Sequence, residues 1–184
     1  MRSRRQYHDS KVGQVEDINH FIEEKMNEMD AASSIVKTGN LLIDSIINYK
    51  YNISMKYHIN YIYQLSPLLP DRFGNLDGDL CIILGNAIDN AIEAVQKVHI
   101  EQREIIIKMN VSEDVLFISI KNKYNGEIRK NEEDVIITSK QNSVHHGYGL
   151  QSIEKIVKKN NGNFVINYDG EYFKLSIFLY LDEI

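Results

Sequence analysis

The stretch LCIILGNAIDNAIEAV, residues 80–95, decides the fold class of this chain. Its apolar residues recur every three or four positions, which predicts a helix from Asp79 to about Lys97 with one buried side. Asn86 and Asn90 interrupt the pattern, and their spacing places both side chains on one face of that helix. The stretch therefore predicts a helix with an apolar face for the core and an amide-bearing face for a ligand.

A glycine pair follows in HHGYGLQSIEKI, where Gly147 and Gly149 precede a helix predicted over Gly149–Lys159. Glycine lets backbone N–H groups approach a phosphate, and the start of a helix attracts an anion. The stretch Glu127–His146 before it is polar and aperiodic, and a loop of that length in a compact domain is generally functional or disordered. The G-x-G pattern alone is common. The position of this glycine pair, after a polar loop and before a helix, indicates a phosphate-binding turn.

The other segments of the second half read as strands rich in β-branched and aromatic residues. Asp169-Gly170 is a strong hairpin signal between the last two. Helices covering one face of a mostly antiparallel sheet predict an α+β sandwich. The predicted strands are Lys56–Leu65, 103–111, 114–122, 163–169 and 172–180.

The first third predicts two amphipathic helices. In the first helix, over Ser10–Asp30, an apolar stripe runs from Val12 to Met29. The stripe of the second helix consists of Leu42, Ile46, Tyr49 and Ile53. Two such helices have too small a core to be stable alone, so we expect a homodimer in which two hairpins form a four-helix bundle. We place the hairpin at residues 1–53 and the sandwich domain at 54–184.

Composition excludes several classes of protein. The 184 residues carry a net charge of -5 without a long basic run, which argues against a nucleic-acid partner. The single cysteine cannot form an internal disulfide, and no Cys/His cluster indicates zinc. No apolar stretch approaches the roughly 20 residues needed to cross a bilayer. These features predict a soluble, cytoplasmic fragment that is not inserted in a membrane.

The asparagine pair and the glycine pair, in this order, resemble the ATP site of the GHKL ATPases, which include gyrase-type, Hsp90-type and histidine-kinase ATPases. His8-Asp9 lies upstream of both, as in a bacterial sensor histidine kinase. DNAIEA, HGYGL and Asn122 together resemble the AgrC-like, peptide-pheromone-sensing subgroup. The resemblance implies a Bergerat-type α/β sandwich, ATP and Mg²⁺ as cofactors, a response regulator as partner, and a role in quorum sensing. It also implies sensor segments before this region, often in the membrane.

The resemblance gives Asn90 the place of the family's Mg²⁺ ligand, with Asn86 one turn earlier, where gyrase-type members have a catalytic glutamate. An asparagine there cannot act as a base, which favours phosphoryl transfer to a side chain over ATP hydrolysis. Asp89 is positioned to help hold the metal or orient water. On their own, two asparagines on an exposed helix face are more often merely solvated.

At the adenine end, Asn122 occupies the place of the family's aspartate, and Tyr124 replaces a glycine. The amide oxygen of Asn122 can accept the adenine amino hydrogen, although this hydrogen bond is weaker than one to a carboxylate. The segment Asn122–Gly126 also reads as an ordinary strand-ending turn, and Lys140 as a solvated loop lysine. The resemblance implies that the remaining nucleotide contacts come from Gly126, Lys140, His146, Gly147, Tyr148, Gly149 and Leu150.

The resemblance makes His8 the phosphoacceptor and Asp9 the group that orients its imidazole or accepts its proton. His20 and His58 are weaker alternatives because no acid follows either. The subgroup has an asparagine where this chain has Val12, so phosphatase activity toward the regulator is not expected. The implied function is an ATP-dependent protein-histidine kinase of a two-component system. A catalytically silent GHKL nucleotide-binding module and a GHKL protein-serine kinase are the alternatives.

Overall fold

The computed structural model describes residues 35–66, 69–130, 136–137 and 149–181. The chain divides after Val36, and every element described below belongs to the unit Lys37–Ile184. The first predicted helix, Ser10–Asp30, lies outside the described residues, so the hairpin stays a prediction. Helix α1, Leu41–Lys56, runs across the predicted domain boundary at residue 53.

Over its described residues, this unit consists of three α-helices, a five-stranded sheet and a two-stranded sheet. Strand β1 is parallel to β2, and all other neighbours in the sheet are antiparallel. The spatial order of the strands is β1-β2-β3-β7-β6. The helices are α1, α2 (Asp77–Val95) and α3 (Gly149–Lys159); the strands are β1 (Asn60–Leu65), β2 (Glu104–Ser112), β3 (Val115–Lys123), β4 (Arg129–Lys130), β5 (Ile136–Ile137), β6 (Asn163–Tyr168) and β7 (Tyr172–Tyr180).

The core lies between the helices and one face of the sheet. Helix α2 contacts β2 and β3 on one side and α1 and α3 on others. Its predicted stripe is buried: Leu80, Ile83, Leu84, Ala87, Ile88, Ala91 and Val95, together with Ile92. The sheet contributes alternate residues, namely Ile105, Ile107, Met109, Leu116, Ile118, Ile120, Leu175, Ile177 and Leu179. Each such side chain contributes about 1.5–3 kcal/mol on burial. The predicted α+β architecture of this domain is confirmed.

Two segments differ most from the sequence predictions. The strand predicted over Lys56–Leu65 begins only at Asn60, because α1 continues to Lys56 and His58 turns the chain with a φ of 54°. The segment predicted as a continuous loop over 127–146 contains an antiparallel pair, in which Arg129 faces Ile137. Ile136-Ile137 is β-branched, and branching at Cβ favours the extended backbone of that pair.

The start of α1 is fastened to the segment that precedes α2. Asn40 is fully buried, and its side-chain oxygen accepts a hydrogen bond from Ile43 N at 3.0 Å as the helix cap. Its amide nitrogen donates to the carbonyl oxygen of Pro70 at 2.7 Å. Asp44 accepts from the backbone N and the hydroxyl of Thr38 at 2.9 and 2.8 Å. These bonds fix where α1 begins and which side of it faces the domain.

Replacing Asn40 with alanine tests this attachment. Asn40→Ala removes the cap and leaves the Pro70 carbonyl without its partner, so we expect the free energy of unfolding to fall by about 1–2 kcal/mol. The measurement is urea unfolding followed by circular dichroism. Asn52→Ala is the control, because Asn52 is an exposed residue within the same helix. Equal urea midpoints for Asn40→Ala and Asn52→Ala would contradict the role of Asn40 in attaching α1.

Candidate functional site

The amide face of α2 has the geometry predicted for it. Asn86 and Asn90 lie one turn apart on α2, and both are partly exposed. The residues beside them, Ala87 and Ala91, are buried. The helix therefore presents two amides at the edge of the core rather than in open solvent.

Asn90 and Gly149 lie against each other, although 59 positions separate them in the sequence. A Cβ atom built on Gly149 would lie 3.1 Å from Asn90 Nδ2 and 3.2 Å from Asn90 Oδ1. Very few Cβ atoms in proteins approach a neighbour so closely. Gly149 is the first residue of α3, so its missing side chain lets the start of α3 reach the amide face of α2. The structure thus brings two of the predicted site residues together.

The amide of Asn90 carries a buried donor. Its Nδ2 atom is shielded from solvent and has no hydrogen-bond partner among the described residues. A buried polar atom that the protein leaves unpaired often marks the place of a ligand, an ion or an ordered water. Rotation of the amide exchanges its two atoms, so this position can offer an oxygen to a cation or an N–H to a phosphate. The chemistry of this donor therefore fits a metal–phosphate group.

Asp89 faces a different element from the two asparagines. Its Oδ1 atom lies 2.7 Å from Lys50 Nζ of α1, and the pair forms a hydrogen-bonded ion pair. The Lys50 side chain is 11% exposed and the Asp89 side chain 49% exposed. Nothing in the sequence indicated this contact, because a lysine near an apolar stripe usually lies in solvent.

Asn122 lies at the end of β3 and is 3% exposed. Strand alternation places it on the same side of the sheet as Ile118 and Ile120, which is the side that α2 covers. Its Nδ2 atom donates to the carbonyl oxygen of Lys123 at 2.9 Å. With the amide nitrogen engaged in this way, the oxygen is the atom suited to accept a hydrogen bond from a base.

Tyr124 has a structural role that the sequence did not reveal. The residue is 7% exposed, and its hydroxyl accepts a hydrogen bond from Gly170 N at 3.1 Å, within the turn between β6 and β7. Two residues on, Gly126 has a φ of 82°, a conformation that favours glycine. The tyrosine therefore ties the end of β3 to the last hairpin, and the glycine permits the turn that follows.

A second polar contact joins α2 to the residues at the end of α3. Asp79 Oδ2 accepts hydrogen bonds from Asn160 Nδ2 at 2.8 Å and Lys159 Nζ at 2.9 Å. The hydrogen bond from Asn160, followed by that from Lys159, lowers the pKa of Asp79. Neither residue contacts the amide face, so this contact holds the helices together rather than forming the site.

Six residues of the predicted site lie outside the described residues, and their roles stay predictions. They are His8, Asp9, Lys140, His146, Gly147 and Tyr148. Leu150 is described and is 7% exposed, so it contributes to the core behind Gly149. Over the described ranges, no three His, Cys, Asp or Glu side chains converge in a way that could hold a metal ion.

Two open cavities of the described part lie away from this face, and neither is lined by Asn86 or Asn90. One of about 390 Å³ adjoins Arg72 and Lys159. The other, about 590 Å³, lies on the sheet face opposite the helices, near Lys108 and Tyr172.

Residues 77–180 match the GHKL domain family, and this chain belongs to that family. The matched range begins with α2 and ends with β7, so it contains the amide face, Gly149 and Asn122. No match was found among curated protein sequences.

Solved structures of histidine kinases share the fold. The Acinetobacter baumannii histidine kinase AdeS has a TM-score of 0.54 at 15% identity, covering 96% of this chain and 84% of that chain. The catalytic domain of histidine kinase ThkA has a TM-score of 0.55 at 16% identity, with coverages of 77% and 93%. The mycobacterial sensor histidine kinase MprB has a TM-score of 0.52 at 12% identity, with coverages of 77% and 97%. At these identities the likeness concerns the fold.

The contact between Gly149 and Asn90 can be tested with one methyl group. Gly149→Ala places a Cβ against the Asn90 amide and displaces it, so we expect Mg²⁺-dependent ATP binding to weaken by about tenfold, or roughly 1.4 kcal/mol. Isothermal titration calorimetry measures the change. Gly78→Ala is the control, because an added Cβ at Gly78 meets nothing within 4 Å. Unchanged affinity in Gly149→Ala would contradict the assignment of this contact to the site.

Proposed function

We propose that this chain is the catalytic part of a sensor histidine kinase of the AgrC-like type. It autophosphorylates a histidine with ATP and passes the phosphoryl group to an aspartate of a response regulator in a two-component, quorum-sensing system. The observation that carries the proposal is the contact of Asn90 with Gly149. It joins the two sequence motifs on which the family resemblance rests, and it includes a buried amide nitrogen that has no partner among the described residues.

Mg²⁺ is the cation expected with ATP in a GHKL domain, and the donors on α2 suit it. Amide oxygens are hard neutral ligands, and Mg²⁺ is usually shared among one or two side chains, water and phosphates. Asn90 is the residue that would hold it, with Asn86 one turn earlier. When bound, the metal neutralises charge on the transferred phosphoryl group.

The proposed reaction assigns two residues near the start of the chain. An imidazole nitrogen of His8 attacks the γ-phosphorus, the bond from that phosphorus to the bridging oxygen breaks, and ADP leaves. The proton on the other imidazole nitrogen is held or accepted by Asp9. Lys140 of the segment before α3 offers a positive charge to the γ-phosphate. Asn86 cannot remove a proton from water, which favours transfer to His8 over hydrolysis.

Helix α1 offers support for the proposed homodimer. The domain buries one side of it, through residues such as Ile43 and Ile47. Leu41 and Tyr49 remain 78% and 62% exposed, so large side chains lie on its outer side. A second hairpin would cover these residues in the proposed four-helix bundle. Within the described residues, no helix is both long and apolar enough to cross a membrane.

A phosphorylation assay tests the proposal directly. Incubated with Mg²⁺ and γ-labelled ATP, the full chain is expected to acquire a label that acid removes and base does not, as phosphohistidine requires. His8→Gln is expected to abolish the label because it removes the nucleophile. Asn90→Ala is expected to abolish it because it removes the metal ligand. His20→Gln is the matched control and should retain the label.

Other outcomes identify the alternatives. A label that survives in His8→Gln contradicts the acceptor assignment. An acid-stable label indicates a protein-serine kinase. ATP binding without any label indicates a silent nucleotide-binding module, which the substitution of Asn122 for aspartate favours modestly. Loss of the label in His20→Gln alone would move the acceptor to that residue.

A further inference from the structure

Lys50 is a buried lysine on the helix that precedes the catalytic domain. The residue is 9% exposed, and its ammonium nitrogen lies 2.7 Å from Asp89 Oδ1. It also lies 5.5 Å from the centre of the Tyr49 ring. Lysine is almost never buried to this extent unless it is paired. The long side chain thus places its charge on one carboxylate of α2, 39 positions away in the sequence.

The position of Asp89 gives this pair a mechanical consequence. Asp89 directly precedes Asn90 and follows Asn86 by three residues, so all three lie within about one turn of α2. A force on the Asp89 carboxylate acts on the same turn that carries the two amides. The rotation of that turn about the helix axis sets the direction of the two amide side chains.

Helix α1 is fixed to the domain on either side of Lys50. Asn40 donates to Pro70 O at its start, and Arg103 Nη1 donates to Tyr57 O at 2.8 Å just beyond its end. Arg103 also donates to the carbonyl oxygen of Gln96, which follows α2. The attachment of α1 therefore does not depend on Lys50 alone. Attachment of the helix does not by itself explain why the charge of Lys50 is buried, since an apolar side chain of similar volume often packs as well as a buried ion pair.

We propose that Lys50 is a positioning residue of the nucleotide site. By holding Asp89, it sets the orientation of the turn that carries Asn86 and Asn90, and it makes Mg²⁺-dependent nucleotide binding respond to the placement of α1. This inference rests on the proposed function, because it assigns a regulatory input to the proposed site. Lys50 then acts through Asp89, and Asp89 orients the turn rather than serving as a direct metal ligand.

The test compares Lys50→Met with a matched ion-pair variant, Lys159→Met. Lys159 also pairs with an aspartate of α2, Asp79, at 2.9 Å. That aspartate lies ten residues from Asp89, or about 15 Å along the helix. Binding of the ATP analogue AMP-PNP to the full chain is measured by calorimetry, once with excess Mg²⁺ and once with EDTA. Thermal unfolding of each variant is recorded in parallel.

We expect Lys50→Met to weaken binding in Mg²⁺ by roughly tenfold, the lower end of the loss that follows removal of groups that orient metal ligands. Binding in EDTA should change little, and Lys159→Met should bind as the wild type does in both conditions. Lys50→Arg, which keeps the charge, should recover part of the loss. The double variant that combines Lys50→Met with Asp89→Asn should lose no more affinity than the weaker-binding single variant, because both changes break the same contact.

Several results would overturn the inference. One is wild-type affinity in Lys50→Met with Mg²⁺. Another is an equal loss with Mg²⁺ and with EDTA, or an equal loss in Lys159→Met, because either would reflect general destabilisation. Should Lys50→Met fail to fold, Asp89→Asn and Lys50→Arg provide the same comparison. A wild-type chain that binds no AMP-PNP in Mg²⁺ would instead overturn the proposed function, and this inference with it.

Discussion

The packing of α2 against the sheet is the constraint on which the rest of the domain depends. Its apolar side fills the space over β2 and β3, and no other described helix contacts both the sheet and the two remaining helices so broadly. Because the helix cannot rotate without exposing residues such as Ile83 and Ile88, the direction of its polar face is fixed by the core. Hydrophobic packing thus fixes which side of α2 carries Asn86 and Asn90, and the proposed role of Lys50 concerns the finer orientation of that turn.

The features that the sequence predicted correctly have a period or a fixed local chemistry. The stripe of α2 repeats every three or four residues, and β3 alternates, so the core side of each was evident. The hairpin at Asp169-Gly170 depends on the φ of 88° at Gly170, which glycine adopts without strain. The phosphate role of Gly149 stays a prediction, and the structure shows that its missing side chain makes room for Asn90.

The features that the sequence missed depend on polar residues far apart in the chain. The predicted stripe of α1 consisted of the apolar residues Leu42, Ile46, Tyr49 and Ile53. The side that the domain buries is a different one and includes polar residues: it consists of Ile43, Ile47, Asn48, Lys50 and Ser54. Lys50 gains its burial only through Asp89, and the Tyr124 hydroxyl gains its partner only when the last hairpin forms. Such contacts are decided by tertiary structure, so composition and spacing could not indicate them. The acceptor His8 and the segment before α3 were predicted only from resemblance.

The parallel pairing of β1 with β2 has a consequence for the order of folding. Asn60 pairs with Glu104, 44 positions later, and the whole of α2 lies between them. The neighbouring strands β2 and β3 join through a tight turn at Glu113, where closure costs little chain entropy. A pair that requires a long closure forms slowly, so β1 should join the sheet after the β2–β3 hairpin exists. Pulse-labelled hydrogen exchange would show the β1 amides gaining protection after those of β2 and β3. Helix α1 is joined to β1 by a short turn and would dock at the same late stage.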